Sequence, residues 1–270
     1  MAATATEAAM GSCAFEKLFA TSVPHVLEKI FLSLDYESFK NCLEVNIIWR
    51  ELLTSETYQR KIKAKFQIEM TLDQQELWYA ASANNVEKVN RLLSCGMLDI
   101  NLNFECLHGP PLFRAAVGGH KEVVQILLNR GANPNKRGFC GRTPLHGAAM
   151  QINARKGHEE VVQLLLDRRA NPNNSDDSGG TPLGAAAAYG HTILVQLLLD
   201  AGADPDKKNN DGWTPLHFAS DNGYKDTVQE LLDGGACQKM QTGKGSTSLL
   251  LAQLHGHTNV AKIIEGHTKK

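Results

Sequence analysis

Short apolar runs with helical spacing recur along most of this chain, separated by polar punctuation of nearly constant form. Val123-Val124-Gln125-Ile126-Leu127-Leu128 reappears as Val161-Val162-Gln163-Leu164-Leu165-Leu166, and Val260-Ala261-Lys262-Ile263-Ile264 closes the series. Ahead of such runs stands a shorter apolar stretch ending on paired alanines, as at Ala115-Ala116, Ala148-Ala149 and Ala186-Ala187. A Gly-His step joins the two, at Gly119-His120, Gly157-His158, Gly190-His191 and Gly256-His257. The shorter stretch opens on Thr143-Pro144-Leu145-His146, on Thr214-Pro215-Leu216-His217 and, with its last residue changed, on Thr181-Pro182-Leu183-Gly184. Degenerate forms stand at Pro110-Pro111-Leu112-Phe113 and Thr247-Ser248-Leu249-Leu250, and a weaker one at Gln75-Glu76-Leu77-Trp78. Leu112, Leu145, Leu183, Leu216 and Leu249 are spaced 33, 38, 33 and 33 residues apart.

Each part of the unit has a physical task. Threonine supplies an N-cap oxygen, and proline at the first helical position gives up an amide that has no partner there. Leucine and the paired alanines make a thin helix that neighbours can approach closely. A second apolar helix follows the Gly-His turn, and Gly131, Gly202 and Gly235 fall where a helix C-terminus favours a left-handed residue. Polar segments such as Asn133-Pro134-Asn135-Lys136 lead into the next unit. A helix pair this short cannot bury its apolar face alone, so the units must stack.

This unit resembles the ankyrin repeat. The resemblance implies an all-α fold: a six-unit solenoid over residues 72–270, with helix pairs, short hairpin-like fingers and a concave binding surface. The units run at about 72–107, 108–140, 141–178, 179–211, 212–244 and 245–270. Some copies depart from the pattern. Ala149 and Gly157 are separated by seven residues where other copies have two, and the extra chain is expected to lengthen the first helix or its turn. Arg169 occupies the glycine position, where a left-handed backbone costs roughly 1 kcal/mol. Pro110 replaces the capping threonine. The first repeat is longer by two residues around Asp99 to His108. Asn135 and Asn173 resemble sites that an asparaginyl hydroxylase modifies in other ankyrin proteins.

Upstream the pattern changes. Pro24 marks a helix start, and Leu27, Ile30, Phe31 and Leu34 follow at helical spacing. Asp35-Tyr36-Glu37 opens a second helix that would bury Phe39, Cys42 and Leu43, and a third carries Trp49, Leu52 and Leu53. Val23-Pro24, Ile30-Phe31, Leu34-Asp35 and Val45-Asn46-Ile47-Ile48-Trp49 together resemble an F-box, a small three-helix domain over residues 22–66 behind a flexible tail at 1–21. That resemblance implies that Pro24, Leu27, Ile30, Phe31 and Leu34 dock on the Skp adaptor of a cullin–RING ubiquitin ligase, with Trp49 inside the F-box or at that contact. The alternative is a helical extension that caps the array. No flexible linker separates Lys65 from the first repeat helix, expected at Gln75, and Trp78 is expected to pack toward the N-terminal segment.

Composition narrows the function classes. With 28 Lys+Arg against 29 Asp+Glu, there is no basic field to gather nucleic acid or an anionic membrane. Met1 to Ser22 lack the basic and apolar regions of a signal peptide, and the six cysteines are scattered, so reduced thiols in the cytoplasm or nucleus are expected. Six of the ten histidines belong to the repeat, and no metal-binding Cys/His spacing occurs. Gly243-Lys244-Gly245 lacks the spacing of a phosphate loop. Neither an active site, a cofactor nor a metal is expected.

A protein partner is expected instead, on the concave face and finger tips that the ankyrin resemblance implies. Finger positions are Phe139, Arg142, Asp176, Asp177, Asn210 and Trp213; first-helix positions are Tyr79, Arg114, Met150, Tyr189, Phe218 and Asp221. Aromatic and arginine side chains make strong interface anchors. Trp213 can serve as such an anchor or pack on a neighbouring finger.

Overall fold

In the computed structural model of the chain, residues 67–94, 109–150 and 156–267 are described. The N-terminal segment with Pro24, Leu27, Ile30, Phe31, Leu34 and Trp49 lies outside them, as do the additional residues of the first repeat. The chain divides into two compact units. The larger, Asp73–Leu93 with Met97–Lys270, holds nearly all of the described helices.

Among the described residues, twelve α-helices form six consecutive pairs. They are α1 (Gln67–Ser82) with α2 (Val86–Ser94), α3 (Pro111–Val117) with α4 (Lys121–Asn129), and α5 (Pro144–Ala149) with α6 (Lys156–Asp167). Then come α7 (Pro182–Ala188) with α8 (Thr192–Asp200), α9 (Pro215–Asp221) with α10 (Lys225–Asp233), and α11 (Ser248–Leu254) with α12 (Thr258–His267). From α3 onward the first helices pack on one another in a row, and the second helices form a second row behind them. The fold is an all-α solenoid.

One hydrophobic core runs from Leu77 to Ile264 through every repeat. Leu145, Leu183 and Leu216 are fully buried, and so are Ala115, Ala116, Ala148, Ala149, Ala186 and Ala187. Alanine at these positions lets adjacent first helices approach closely, while the branched residues of the second helices fill the space behind. The helix starts follow the tetrapeptide logic. Thr181 and Thr247 accept from the backbone N–H of Gly184 and Leu250, whereas Pro110 leaves α3 without a side-chain cap.

The fingers share one geometry. A backbone N–H reaches the carbonyl four residues ahead, from Gly138 to Arg142 (2.7 Å), Asp176 to Gly180 (2.8 Å), Asn209 to Trp213 (2.9 Å) and Thr242 to Ser246 (2.9 Å). Neighbouring fingers are tied together from Asp177 N–H to Cys140 O (3.0 Å), Asn210 N–H to Ser178 O (2.9 Å) and Gly243 N–H to Asp211 O (2.8 Å). Gly243-Lys244-Gly245 is the tip of such a finger. Beneath them, Asn135 accepts from Asn171 N–H (2.7 Å) and donates to Arg169 O (3.1 Å). Asn173 does the same with Asp204 N–H (2.8 Å) and Gly202 O (2.9 Å).

One expectation needs correction, and another holds only for one of its alternatives. The first-repeat helix begins at Gln67 rather than Gln75, because Gln67 to Gln74 contain neither proline nor glycine to stop it. In the third repeat α5 is not lengthened and ends at Ala149; the connection is longer, 150–155 against 118–120 in the second repeat, with 151–155 outside the described residues, and α6 has 12 residues against 9 in α4. His158 explains why. Its Nε2 keeps the 3.0 Å contact to Val117 O that His120 makes to Ser82 O, which fixes the register of α6. The extra chain must therefore be taken up before His158, and Gly157 joins the helix.

Arg169 has φ 64°, at the position where Gly131, Gly202 and Gly235 have φ 88°, 83° and 90°. Its side chain is exposed, so glycine removes strain and no core packing. Arg169→Gly should raise the Tm by about 2 °C, the equivalent of roughly 1 kcal/mol in an array of this size. A thermal melt showing no change or a decrease would refute the strain argument.

Candidate protein-binding groove

Side chains that leave the first helices on the finger side decide what the concave face offers. In the first two repeats these are Tyr79 and Arg114. Tyr79 is 61% exposed, with its ring edge-on to buried Trp78 at 5.1 Å. Arg114 lies over the Trp78 ring at 5.0 Å, and Nη2 reaches Ser82 Oγ at 3.4 Å. Its charge is thus partly committed to a cation–π contact within the array.

A different surface forms across the third to fifth repeats. Arg142, Met150, Tyr189 and Phe218 surround an open groove of about 150 Å³ whose floor is Gly184, Ala185 and Ala188. The Trp213 ring lies tilted against Phe218 at 5.1 Å and stands 6.2 Å from His217, and the Trp213 backbone N–H donates to Asn209 Oδ1 (2.8 Å). Trp213 therefore packs on the helix of its own repeat. Its ring is half-buried and borders a shallow hollow at the fingertips with Asn210, Gly243 and Lys244.

The structure thus brings Arg142, Tyr189 and Phe218 together, with Trp213 behind them. Tyr79 and Arg114 form a separate cluster around Trp78, and Phe139 stands on its own finger, 38% exposed. Asp221 is engaged across the last seam, where Oδ1 lies 2.9 Å from His255 Nδ1. The small residues Gly184, Ala185 and Ala188 were not foreseen as part of a site. Only Gly184 carried a visible signal, as the residue that breaks the tetrapeptide.

The two charged side chains of the groove lining face each other. Asp176 Oδ2 faces Arg142 Nε at 3.5 Å, and Asp176 Oδ1 accepts from Ser178 Oγ (2.7 Å) and from the N–H groups of Ser178 and Gly180 (2.9 Å each). Burial alone would raise the Asp176 pKa, but these donors hold it below the ordinary aspartate value. The Arg137–Asp177 pair at 2.8 Å is exposed on both sides and worth little. Among the described residues, no cluster of His, Cys, Asp and Glu could hold a metal, and no helix is long and apolar enough to cross a membrane.

The tetrapeptide histidines are structural groups. His146 Nδ1 lies 2.8 Å from Thr143 Oγ1 and accepts from Thr143 N–H at 3.2 Å, while Nε2 lies 3.1 Å from Gly180 O. A carbonyl only accepts, so the proton belongs on Nε2. His217 repeats the arrangement with Thr214 at 2.8 and 3.1 Å and with Met240 O at 3.1 Å. Desolvation by burial lowers both pKa values below the ordinary 6.5, against an upward pull from the bonded carbonyls.

The sequence matches the family described as "Ankyrin repeats (3 copies)" at residues 52–138, 77–176, 136–209 and 183–268. The first match begins inside the 22–66 segment. An ankyrin repeat-containing protein of Saccharomyces cerevisiae is 35% identical over 75 residues, 27% of this chain and 14% of that protein. The human Arf-GAP with coiled-coil, ANK repeat and PH domain-containing protein 2 is 37% identical over 76 residues, 28% of this chain and 10% of its own length. The mouse inactive serine/threonine-protein kinase TEX14 is 36% identical over 70 residues, 26% of this chain and 5% of its own. The matched stretches thus span a small fraction of these longer relatives.

Because folded-state His146 and His217 bind protons less readily than free histidine, the unfolded chain takes up protons first as pH falls. Their contribution to stability is complete above the ordinary 6.5 and is lost below it. The Tm should fall between about pH 7.5 and pH 5.5, and the fall should be shallower in His146→Gln/His217→Gln. An equal pH dependence in the double variant would rule out these two groups as its source.

Proposed function

The chain belongs to the ankyrin-repeat family, and on that premise we propose that it is the substrate-recognition subunit of a Skp–cullin–F-box ubiquitin ligase. Ankyrin repeats are protein-interaction modules, and the observation that carries the target-binding half is the groove between Arg142, Met150, Tyr189 and Phe218. It is open, walled by aromatic rings, and its charges are paired internally, as suits a protein surface or segment. The adaptor half rests on the residues of the 22–66 segment. Pro24, Leu27, Ile30, Phe31 and Leu34 would dock on the Skp adaptor, with Trp49 supporting them. Such a chain forms no thioester; it acts in the cytoplasm or nucleus by bringing a target close to a ubiquitin-loaded enzyme.

A second reading has an observation in its favour. The family match reaches back to residue 52, as it would if the N-terminal helices extend or cap the array. The chain would then be a scaffold or inhibitor that sequesters a partner.

Co-purification of the tagged chain with the Skp adaptor and cullin, beside an Ile30→Asp/Phe31→Asp variant, separates the two. The receptor reading expects capture by the wild type and its loss in a variant that stays folded by circular dichroism. Absence of capture by the wild type would leave the scaffold. Trp213→Ala/Phe218→Ala should weaken target capture about tenfold or more while the fold survives. Undiminished capture by that variant would move the target site elsewhere.

A further inference from the structure

The repeats serve as references for one another. At the last tetrapeptide position, His146 and His217 fill the seam to the following finger, each with Nε2 at 3.1 Å from a carbonyl. The repeat between them has Gly184 there. Ala185 and Ala188 likewise stand where the next repeat carries Phe218 and Asp221. The groove of about 150 Å³ opens over these three small residues.

The backbone does not demand this glycine. Most glycines of the turns and fingers have positive φ, but Gly184 lies in α7 with ordinary helical geometry. A Cβ built there would stand 3.5 Å from Thr181 Oγ1 and 3.8 Å from the Phe218 ring, ordinary contacts both. An imidazole at 184 could reach the Thr181 N–H as His146 reaches that of Thr143. The sequence forgoes this bond, and what it gains is space.

We infer that the groove is an anchor pocket for one uncharged apolar side chain, of leucine, methionine or phenylalanine size, from a bound partner protein, and that glycine at 184 creates it. The inference rests on the reading of the concave face as a protein-binding surface and specifies what that surface selects. Two observations fix the occupant. The charged lining groups, Arg142 and Asp176, already face each other, with the remaining Asp176 oxygen occupied by Ser178 and Gly180, so a charged side chain would have to compete with an existing pair. The volume is well under the roughly 300–1,000 Å³ of sites for small-molecule ligands, and it suits a single side chain. Phe218, braced by Trp213 at 5.1 Å, and Tyr189 supply rigid walls for such an anchor.

The test selects a displayed random heptapeptide library against the full chain and measures each enriched peptide against three variants. Gly184→His and Ala188→Leu fill the pocket from different sides, so a folding defect in one leaves the other as a probe. Tyr79→Ala/Arg114→Ala alters the concave face elsewhere. The inference expects enriched peptides that share one apolar position, intolerant of Lys or Glu. Both filling variants should weaken their binding by about tenfold or more, and by more than the Tyr79/Arg114 variant does. Gly184→His should also melt about 1–3 °C higher than wild type, gaining stability as it loses binding. Peptides that bind the filled variants as tightly as wild type but lose affinity for the Tyr79/Arg114 variant would overturn the anchor pocket and leave the concave face as the binding surface. A charged residue at the shared position would overturn it too. No enrichment of any peptide would overturn both.

Discussion

No helix pair in this chain is thick enough to cover its own apolar face, and the rest of the structure depends on that fact. Leu145, Val161, Val162 and Leu165 are fully buried, and the packing of α5 and α6 against the repeats on both sides makes this possible. The alanine pairs set how closely the first helices approach. Burial of the leucines therefore depends on the absence of side chain at the alanines, and a single bulky substitution there would prise apart a whole seam. Stability in such an array is a sum of neighbour terms. This is why local departures such as the uncapped α3, the longer α6 and left-handed Arg169 can be carried without loss of the fold.

The seams are also polar. Each turn histidine that replaces a bond to water does so against the preceding repeat, as with His120 to Ser82 O, His158 to Val117 O and His257 to Asp221 O at 2.9–3.0 Å. The tetrapeptide histidines do the same toward the following repeat. These directional contacts fix the sliding register that apolar packing alone would leave loose. In His146 and His217 both imidazole nitrogens are engaged, so metal ligation or acid–base chemistry by those two would require dismantling a seam.

Much of this was legible in the sequence because the repeat is an internal alignment. Threonine caps, left-handed glycines and the strained Arg169 followed from residue type at a known register. The fate of the extra chain in the third repeat did not, because helix length there is decided by the bond from His158 to Val117, a contact 41 residues away. The helix start at Gln67 was missed for a similar reason: the tetrapeptide marks where a repeat's first helix usually opens, and nothing in it forbids an earlier start. For the groove, the sequence indicated large side chains well, Tyr189 and Phe218 among them. It concealed that the same space depends on small ones. Ala185 and Ala188 read as ordinary helix formers, and their consequence appears only when the neighbouring walls are in place.

The departures from the repeat fall into two kinds, and the difference bears on function. Arg169 breaks the pattern at an exposed turn, adds strain, and leaves the shape of the surface unchanged. Gly184 breaks it at a buried seam position without any backbone requirement, and the surface changes shape beside the tilted ring pair of Phe218 and Trp213. In a fold whose stability is additive over seams, one unmade bond is tolerable provided that the adjoining seams stay closed. Those of His146 and His217, on either side, are closed with every imidazole nitrogen engaged. A binding feature built in this way inherits its rigidity from the neighbouring repeats, so the pocket walls need no ligand to be in place.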